Sequence, residues 1–304
     1  MRYRPLGASG MALSVVSLKL EDHPGMRAAD WTALGYAALE NGVNSFEIAG
    51  RDPAILDGVS VALQSVNRRL VYVSLRLGNT PEGRRDFSAP TMIRTLQAAI
   101  ARSGLEYIDI AMLDDPSSDE LPAESLTALK AVRQQGAVSM LGVCGKDDAI
   151  DTYILTEAFN VLATPYNMLS GWRDRNRIRM AQERDMSVIG YDFYPDTIRT
   201  RGQVEPISGP AKMGLFRRAA QSAAKPQVDP YAFLDDTPQW TAEEVSLGYV
   251  LTEPALASVQ IVCAHPEHLA ALADVPDRDL PSGLGSRVEM ARFSATPSQA
   301  AAKP

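Results

Sequence analysis

A chain of 304 residues with 45% apolar side chains can bury a large core, and about 250 residues suffice for a single α/β barrel. Its formal charge of −7 argues against general nucleic-acid binding, which depends on an excess of Lys and Arg to displace counterions. No stretch reaches the ~20 consecutive apolar residues of a membrane-spanning helix, and the opening MRYRPLGASG carries arginines without an apolar run. The expectation is a cytoplasmic protein with neither nucleic acid nor membrane as partner. Cys144 and Cys263 lie far apart, in or beside buried-looking strands. Reduced thiols are expected there, and no metal-ligand pair is offered.

Apolar runs bounded by turn residues alternate with segments of helical periodicity, which predicts βαβ units around a parallel sheet. In chain order, strands are expected at 16–20, 45–48, 71–77 and 108–113. Four more follow at 140–143, 161–164, 187–191 and 258–262. Amphipathic helices between them include 29–40, 91–101, 124–134 and 242–251, most introduced by Asp, Ser, Thr or Pro. Eight such units predict one closed (β/α)8 barrel over residues 1–293. A doubly wound sheet competes, but no Gly-rich dinucleotide fingerprint follows the first strand. A long loop is expected over 197–240 and a flexible Pro- and Ala-containing tail over 294–304.

The order of local patterns resembles the aldo-keto reductase family over nearly the whole chain, to about Ala273. MRYRPLGASGMALSVVSL at the start is similar to the family's β-hairpin plug at the barrel bottom. ENGVNSFEIAG (40–50) resembles the segment ending in its catalytic Asp, and RRLVYVSLRLG (68–78) the strand that carries its catalytic Lys. SGLEYIDIAMLDDP (103–116) is similar to the segment ending in its catalytic His. GAVSMLGVCG, FNVLATPYNML and MSVIGYDFYPD then match the next three blocks in order. The expectation of a (β/α)8 TIM barrel rests mainly on these seven segments.

The resemblance implies a tetrad in which a Tyr protonates the carbonyl oxygen, a Lys held by an Asp lowers that Tyr's pKa, and a His orients the substrate. Carried over residue by residue, Glu47 stands at the Asp position, Arg76 at the Lys position and Asp114 at the His position. The Tyr position falls near Asp52, with no tyrosine available. Arginine keeps its proton near neutral pH, and an ionised carboxylate neither donates a proton nor stabilises a developing alkoxide. No residue is therefore assigned to ordinary carbonyl reduction.

Cofactor contacts follow from the same resemblance. Cys144 and Gly145 replace the Ser-Asn pair that holds the nicotinamide amide, and Ala163 replaces the assisting Gln. Tyr191 stands where a ring stacks on the nicotinamide, and Asp192 where a Ser lies near the pyrophosphate. VQIVCAHPEHLAAL (259–272), at the adenosine end, contains no Lys or Arg. NAD(H) is accordingly expected in preference to NADP(H). Against the acidic trend, residues 197–225 hold Arg199, Arg201, Lys212, Arg217, Arg218 and Lys225 with Glu205 as their one acid. Lys212, Arg217 and Arg218 join the candidate cofactor contacts, in a loop that either folds over phosphate, presents a docking surface or contacts nothing.

Plainer readings stand beside these. Glu47, Arg76 and Asp114 form either a structural ion-pair cluster in a former active site or a new acid–base site. Cys144 reads as a small buried hydrophobe, Tyr191 as a packed strand end, and His23, His265 and His268 as scattered. Three functions remain open. The first is a catalytically degraded regulator that senses NAD(H) through a loop switch and acts through protein partners. Its character resembles an oxidoreductase homologue that regulates bacterial cell division, which implies the division protein FtsZ and a histidine kinase as partners. The second is a lyase or isomerase using Glu47, Arg76 and Asp114, and the third an NAD(P)H-dependent oxidoreductase with an atypical site.

Overall fold

The computed structural model describes residues 1–201 and 229–295. An N-terminal hairpin pairs β1 (Tyr3–Pro5) antiparallel to β2 (Ala12–Ser14). Next come β3 (Val16–Leu20), α1 (Ala28–Glu40), β4 (Ser45–Ile48), α2 (Pro53–Gln64), β5 (Tyr72–Leu77) and α3 (Ala89–Ser103). The middle of the chain supplies β6 (Ile108–Asp114), α4 (Ala123–Gln134), β7 (Val138–Cys144), α5 (Asp148–Leu155) and β8 (Val161–Pro165). It continues through α6 (Trp172–Gln182), β9 (Ser187–Tyr191) and the short α7 (Asp196–Arg199). The last elements are α8 (Ala242–Leu251), β10 (Leu256–Ile261), α9 (Pro266–Asp274) and α10 (Leu284–Ala295). Strands β3 to β10 pair in parallel and close into a barrel in the order β10-β3-β4-β5-β6-β7-β8-β9, as the eight predicted units require.

Alternation along each strand divides the barrel into two cores. Val16, Leu18 and Leu20 join the apolar layer beneath the helices, leaving Ser17 and Lys19 on the inward face. On β5 the split is the same, with Val73, Leu75 and Leu77 outward and Ser74 and Arg76 inward. Inside the barrel, Ile110, Met112, Met140, Val161, Ala163 and Ile189 make an apolar half that the hairpin residues Leu6 and Leu13 close from below. The other half, from β10 through β5, is polar. Local chemistry sets the element boundaries: Thr241 and Glu244 form a capping box on α8, and Gly104 ends α3 in the left-handed conformation.

Two sequence expectations need correction here. The 197–240 loop opens inside α7 and contains a 3-10 turn at Ala232–Leu234, because Pro195 and Asp196 start a helix that the Gly and Pro content had masked. Ser294 and Ala295, placed in the tail, finish α10. Lys212, Arg217, Arg218, Lys225 and Glu205 lie outside the described residues, as does 296–304. β7 and β10 each begin two residues before their predicted starts, within the ordinary uncertainty of element ends.

Helices α1 and α2 approach so closely that a Cβ on Gly58 would fall 2.2 Å from the Ala28 carbonyl oxygen and 2.5 Å from Trp31 Cβ. The Ala28 contact is backbone and cannot swing away. Gly58→Ala is expected to destabilise the fold by about 1–3 kcal/mol, seen as a melting point lowered by several degrees. Gly285, in α10 with nothing within 4 Å of an added Cβ, is the control: Gly285→Ala is expected to be neutral or slightly stabilising. Equal melting points for the two variants would contradict this helix packing.

Candidate functional site

The C-terminal ends of the parallel strands form the mouth where this architecture places its functional groups. Parallel registers align Glu47 with Ser74, Arg76 with Met112, and Asp114 with Cys144, so inward side chains of four consecutive strands meet. Arg76 donates from Nε to Glu47 Oε1 at 3.1 Å and from Nη1 to Asp114 Oδ1 at 2.5 Å and Cys144 Sγ at 2.9 Å. Its Nη2 also donates to Glu47. Four of the five guanidinium N–H groups are thereby used. Glu47 Oε2 accepts from Gln260 Nε2 at 2.9 Å, and Asp114 Oδ2 from Asn79 Nδ2 at 2.6 Å. The side chains of Arg76 and Glu47 are 8% and 2% exposed.

Burial by itself would lower the Arg76 pKa, but Glu47, Cys144 and Asp114 together outweigh it and hold the guanidinium above its ordinary range. One positive charge faces two carboxylates. The amides of Asn79 and Gln260 stabilise the excess negative charge by donating to them. Cys144 is more than the small hydrophobe expected from sequence: its sulfur accepts from Arg76. Burial still pushes its thiol up to about 11 against the opposing pull of Arg76. Tyr191 is driven well above the phenol range by burial and then by its neighbour Cys144. The mouth therefore holds a permanent cation, carboxylates and two reluctant acids.

Asp52 is not part of this cluster. It is exposed and caps α2, its side chain accepting from Ala54 N at 2.9 Å while its own N–H donates to Asp22 Oδ1 at 2.7 Å. Gly145 contributes no side chain. It sits in a packed turn at φ +149°, where a Cβ would come within 2.0 Å of Asp115 Oδ1. Ala163 is buried in the apolar half. His268 Nε2 lies 2.9 Å from Glu243 Oε2, His265 precedes α9, and His23 is exposed. Among the described residues no group of His, Cys, Asp and Glu is placed to hold a metal ion, and no helix is long and apolar enough to cross a membrane.

Beside the Arg76 cluster opens a cleft of about 410 Å³ lined by Lys19, Tyr191, Asp192, Arg199, Glu243 and Gln260, among others. That volume lies in the range of small-molecule and cofactor pockets. Lys19 Nζ stands over the Tyr191 ring, 5.7 Å from its centroid, and pairs with Glu21. At the described edge of the basic stretch, Arg199 pairs with Asp196, and Arg201 with Asp229 and Asp235. Lys19, Asn79 and Gln260 were missed at the sequence level. Lys19 and Gln260 carried a signal, since each interrupts an apolar strand at an inward register position.

Both thiols are expected to be silent toward an aromatic disulfide reagent in the native protein at pH 8 and fully reactive after unfolding in urea. Cys144 lies at about 11 in the fold against an ordinary 9.0, so its neutral form favours folding fully below pH 9. That contribution is lost as pH rises through 11. The urea midpoint should fall more between pH 9 and 11 for the native chain than for Cys144→Ser. Prompt native labelling, or identical pH profiles, would contradict the placement of Cys144.

A family model described as "Aldo/keto reductase family" matches residues 30–283. Among solved structures, the holo form of aldo-keto reductase AKR11C1 from Bacillus halodurans superposes with a TM-score of 0.74 at 17% identity. That alignment covers 98% of this chain and 99% of the other. A Pseudomonas aeruginosa chain described as an aldo-keto reductase gives a TM-score of 0.65 at 17% identity, covering 90% of this chain and 93% of its own. At such identities the structural likeness speaks for the fold, while the sequence match carries the family. The chain belongs to the aldo/keto reductase family.

Proposed function

We propose that this family member does not reduce carbonyls by proton transfer from a phenol and serves instead as an NAD(H)-binding regulator in the cytoplasm, acting through protein partners. The observation that carries the reading is the saturation of Arg76. A guanidinium with four of its five donors committed to Glu47, Asp114 and Cys144 has little left with which to clamp an anionic substrate. That also weighs against a lyase or isomerase built on these three residues. Tyr191 keeps its proton because burial and then Cys144 disfavour its anion and outweigh the opposing pull of Arg76.

The residues of the cleft suit NAD(H). Tyr191 offers a ring face, and Lys19 and Arg199 are its cations. Glu47 can only accept, so it fixes Gln260 Nε2 on itself and leaves the buried Oε1 without a partner, an acceptor suited to a carboxamide N–H. NADP(H) fits poorly, since Asp192 and Glu243 bring carboxylates to the same cleft and a 2′-phosphate would meet their repulsion. The nicotinamide, when bound, supplies a hydride donor or acceptor, and this chain's residues hold it without offering a proton to a substrate. The division regulator KidO is an oxidoreductase homologue of this character, and the proposal extends to FtsZ and a histidine kinase as partners.

Calorimetry with the four nicotinamide dinucleotides is expected to give submillimolar binding of NADH or NAD+ and no tighter binding of NADP(H). Tyr191→Ala should weaken binding about tenfold or more. No aldehyde of a broad panel should drive NAD(P)H oxidation. Robust aldehyde-dependent turnover that is lost in Tyr191→Phe would overturn the reading.

A further inference from the structure

We infer that this chain pairs with a second copy of itself through the outer face of α10, each copy seating Phe293 in a groove of the other. The pairing is independent of the proposed nucleotide site. Along α10, Leu284, Val288 and Ala291 are buried in the core, and their i, i+4, i+7 spacing decides which face turns outward. Ser286, Met290 and Phe293 repeat that spacing on the opposite, exposed face. Met290 and Phe293 are 62% and 81% exposed. A lone exposed apolar side chain is ordinary, but two on one stripe beside a groove mark a contact surface. That groove, of about 290 Å³, is lined by Pro230, Phe233, Arg287, Met290, Ala291 and Ser294. The chain's own Phe293 stands too far out in solvent to fill it.

Knob and groove on one face make the surface complementary to itself, as a twofold pair requires. When two α10 helices pack antiparallel about an axis through Met290, positions three before and three after the axis face each other. Phe293 of each copy then meets Arg287 of the other. Arg287 is exposed and its guanidinium has no ion pair or hydrogen bond among the described residues, so it can lie over the incoming ring as a cation–π partner. The two Arg287 cations stay about 9 Å apart along the axis and do not oppose each other. Arg292 donates to the Ser170 carbonyl and Arg175 pairs with Glu289 at 2.8 Å, which ties the start of α6 to α10. Trp172, 79% exposed, thereby flanks the stripe. Phe293, Met290 and Trp172 leave ~400 Å² of apolar surface per copy. Two copies with their polar rims approach ~1,200 Å², the lower end for specific pairs. A second copy supplies both the knob and the groove, whereas any other partner would have to match each separately.

Sedimentation equilibrium of the full chain is expected to show a monomer–dimer equilibrium with a Kd of about 1–100 µM, in keeping with an interface of that size. Phe293→Ala should weaken it at least about tenfold and Arg287→Glu about as much. Both positions are exposed, so neither change should lower the melting point. Geometry is tested separately by Met290→Cys, which the twofold axis places against itself: mild oxidation should link two copies through a disulfide. Val61→Cys, on the exposed side of α2, should not link, and Cys144 and Cys263 are buried. A monomer up to about 300 µM, well above the expected Kd, would overturn the inference. So would a species larger than a dimer, a dimer indifferent to both substitutions, or Val61→Cys linking as readily as Met290→Cys.

Discussion

Arg76 carries a permanent positive charge into a barrel mouth from which water is nearly excluded, and the surrounding polar architecture answers that one constraint. A buried ion without partners costs several kcal/mol, so strands on both sides contribute carboxylates: Glu47 from β4 and Asp114 from β6. Two carboxylates around one cation leave excess negative charge, and amides from β10 and from the turn after β5 donate to it. Cys144 takes one more donor. The cluster is closed on itself, with its hydrogen-bonding capacity directed at other members. Such an arrangement fixes these charges in place.

The same polar half of the barrel shapes the cleft beside it. Lys19, Tyr191 and Gln260 belong to three strands that are neighbours only because the barrel closes through β10 and β3. Their separation in sequence, across more than 240 residues, makes the cleft a product of topology. Its charges are mixed, with Lys19 and Arg199 facing Glu21, Asp192 and Glu243. A mixed cleft discriminates among ligands by where their charge lies rather than by total charge.

The barrel was legible in the sequence because period-2 alternation and cap residues report each unit locally, as in β3 with Ser17 and Lys19 inward and at Thr241 before α8. The convergence of Glu47, Arg76 and Asp114 was also legible, since equivalent ends of consecutive parallel strands must meet. Asp52 was misleading for a local reason: followed by Pro53, an Asp is a helix cap, and capping turned it away from the cluster. Cys144 and Gln260 were harder to read. Composition marks the first as a hydrophobe and the second as an isolated polar residue in a strand, and only register gives them Arg76 and Glu47 as partners. Of the cations in the 197–225 stretch, the two among the described residues are paired, Arg199 with Asp196 and Arg201 with Asp229 and Asp235.

Arg76 stands as a cation held between the carboxylates of Glu47 and Asp114. A double-mutant cycle of Arg76→Met and Glu47→Gln, followed by urea unfolding, measures that directly. Arg76→Met alone should cost about 3–5 kcal/mol by leaving buried carboxylates unpaired. The double variant should recover part of that loss, giving a coupling above about 1 kcal/mol. Additive effects, or an Arg76→Met protein as stable as the native chain, would contradict the claim that Arg76 is locked in place by its carboxylates.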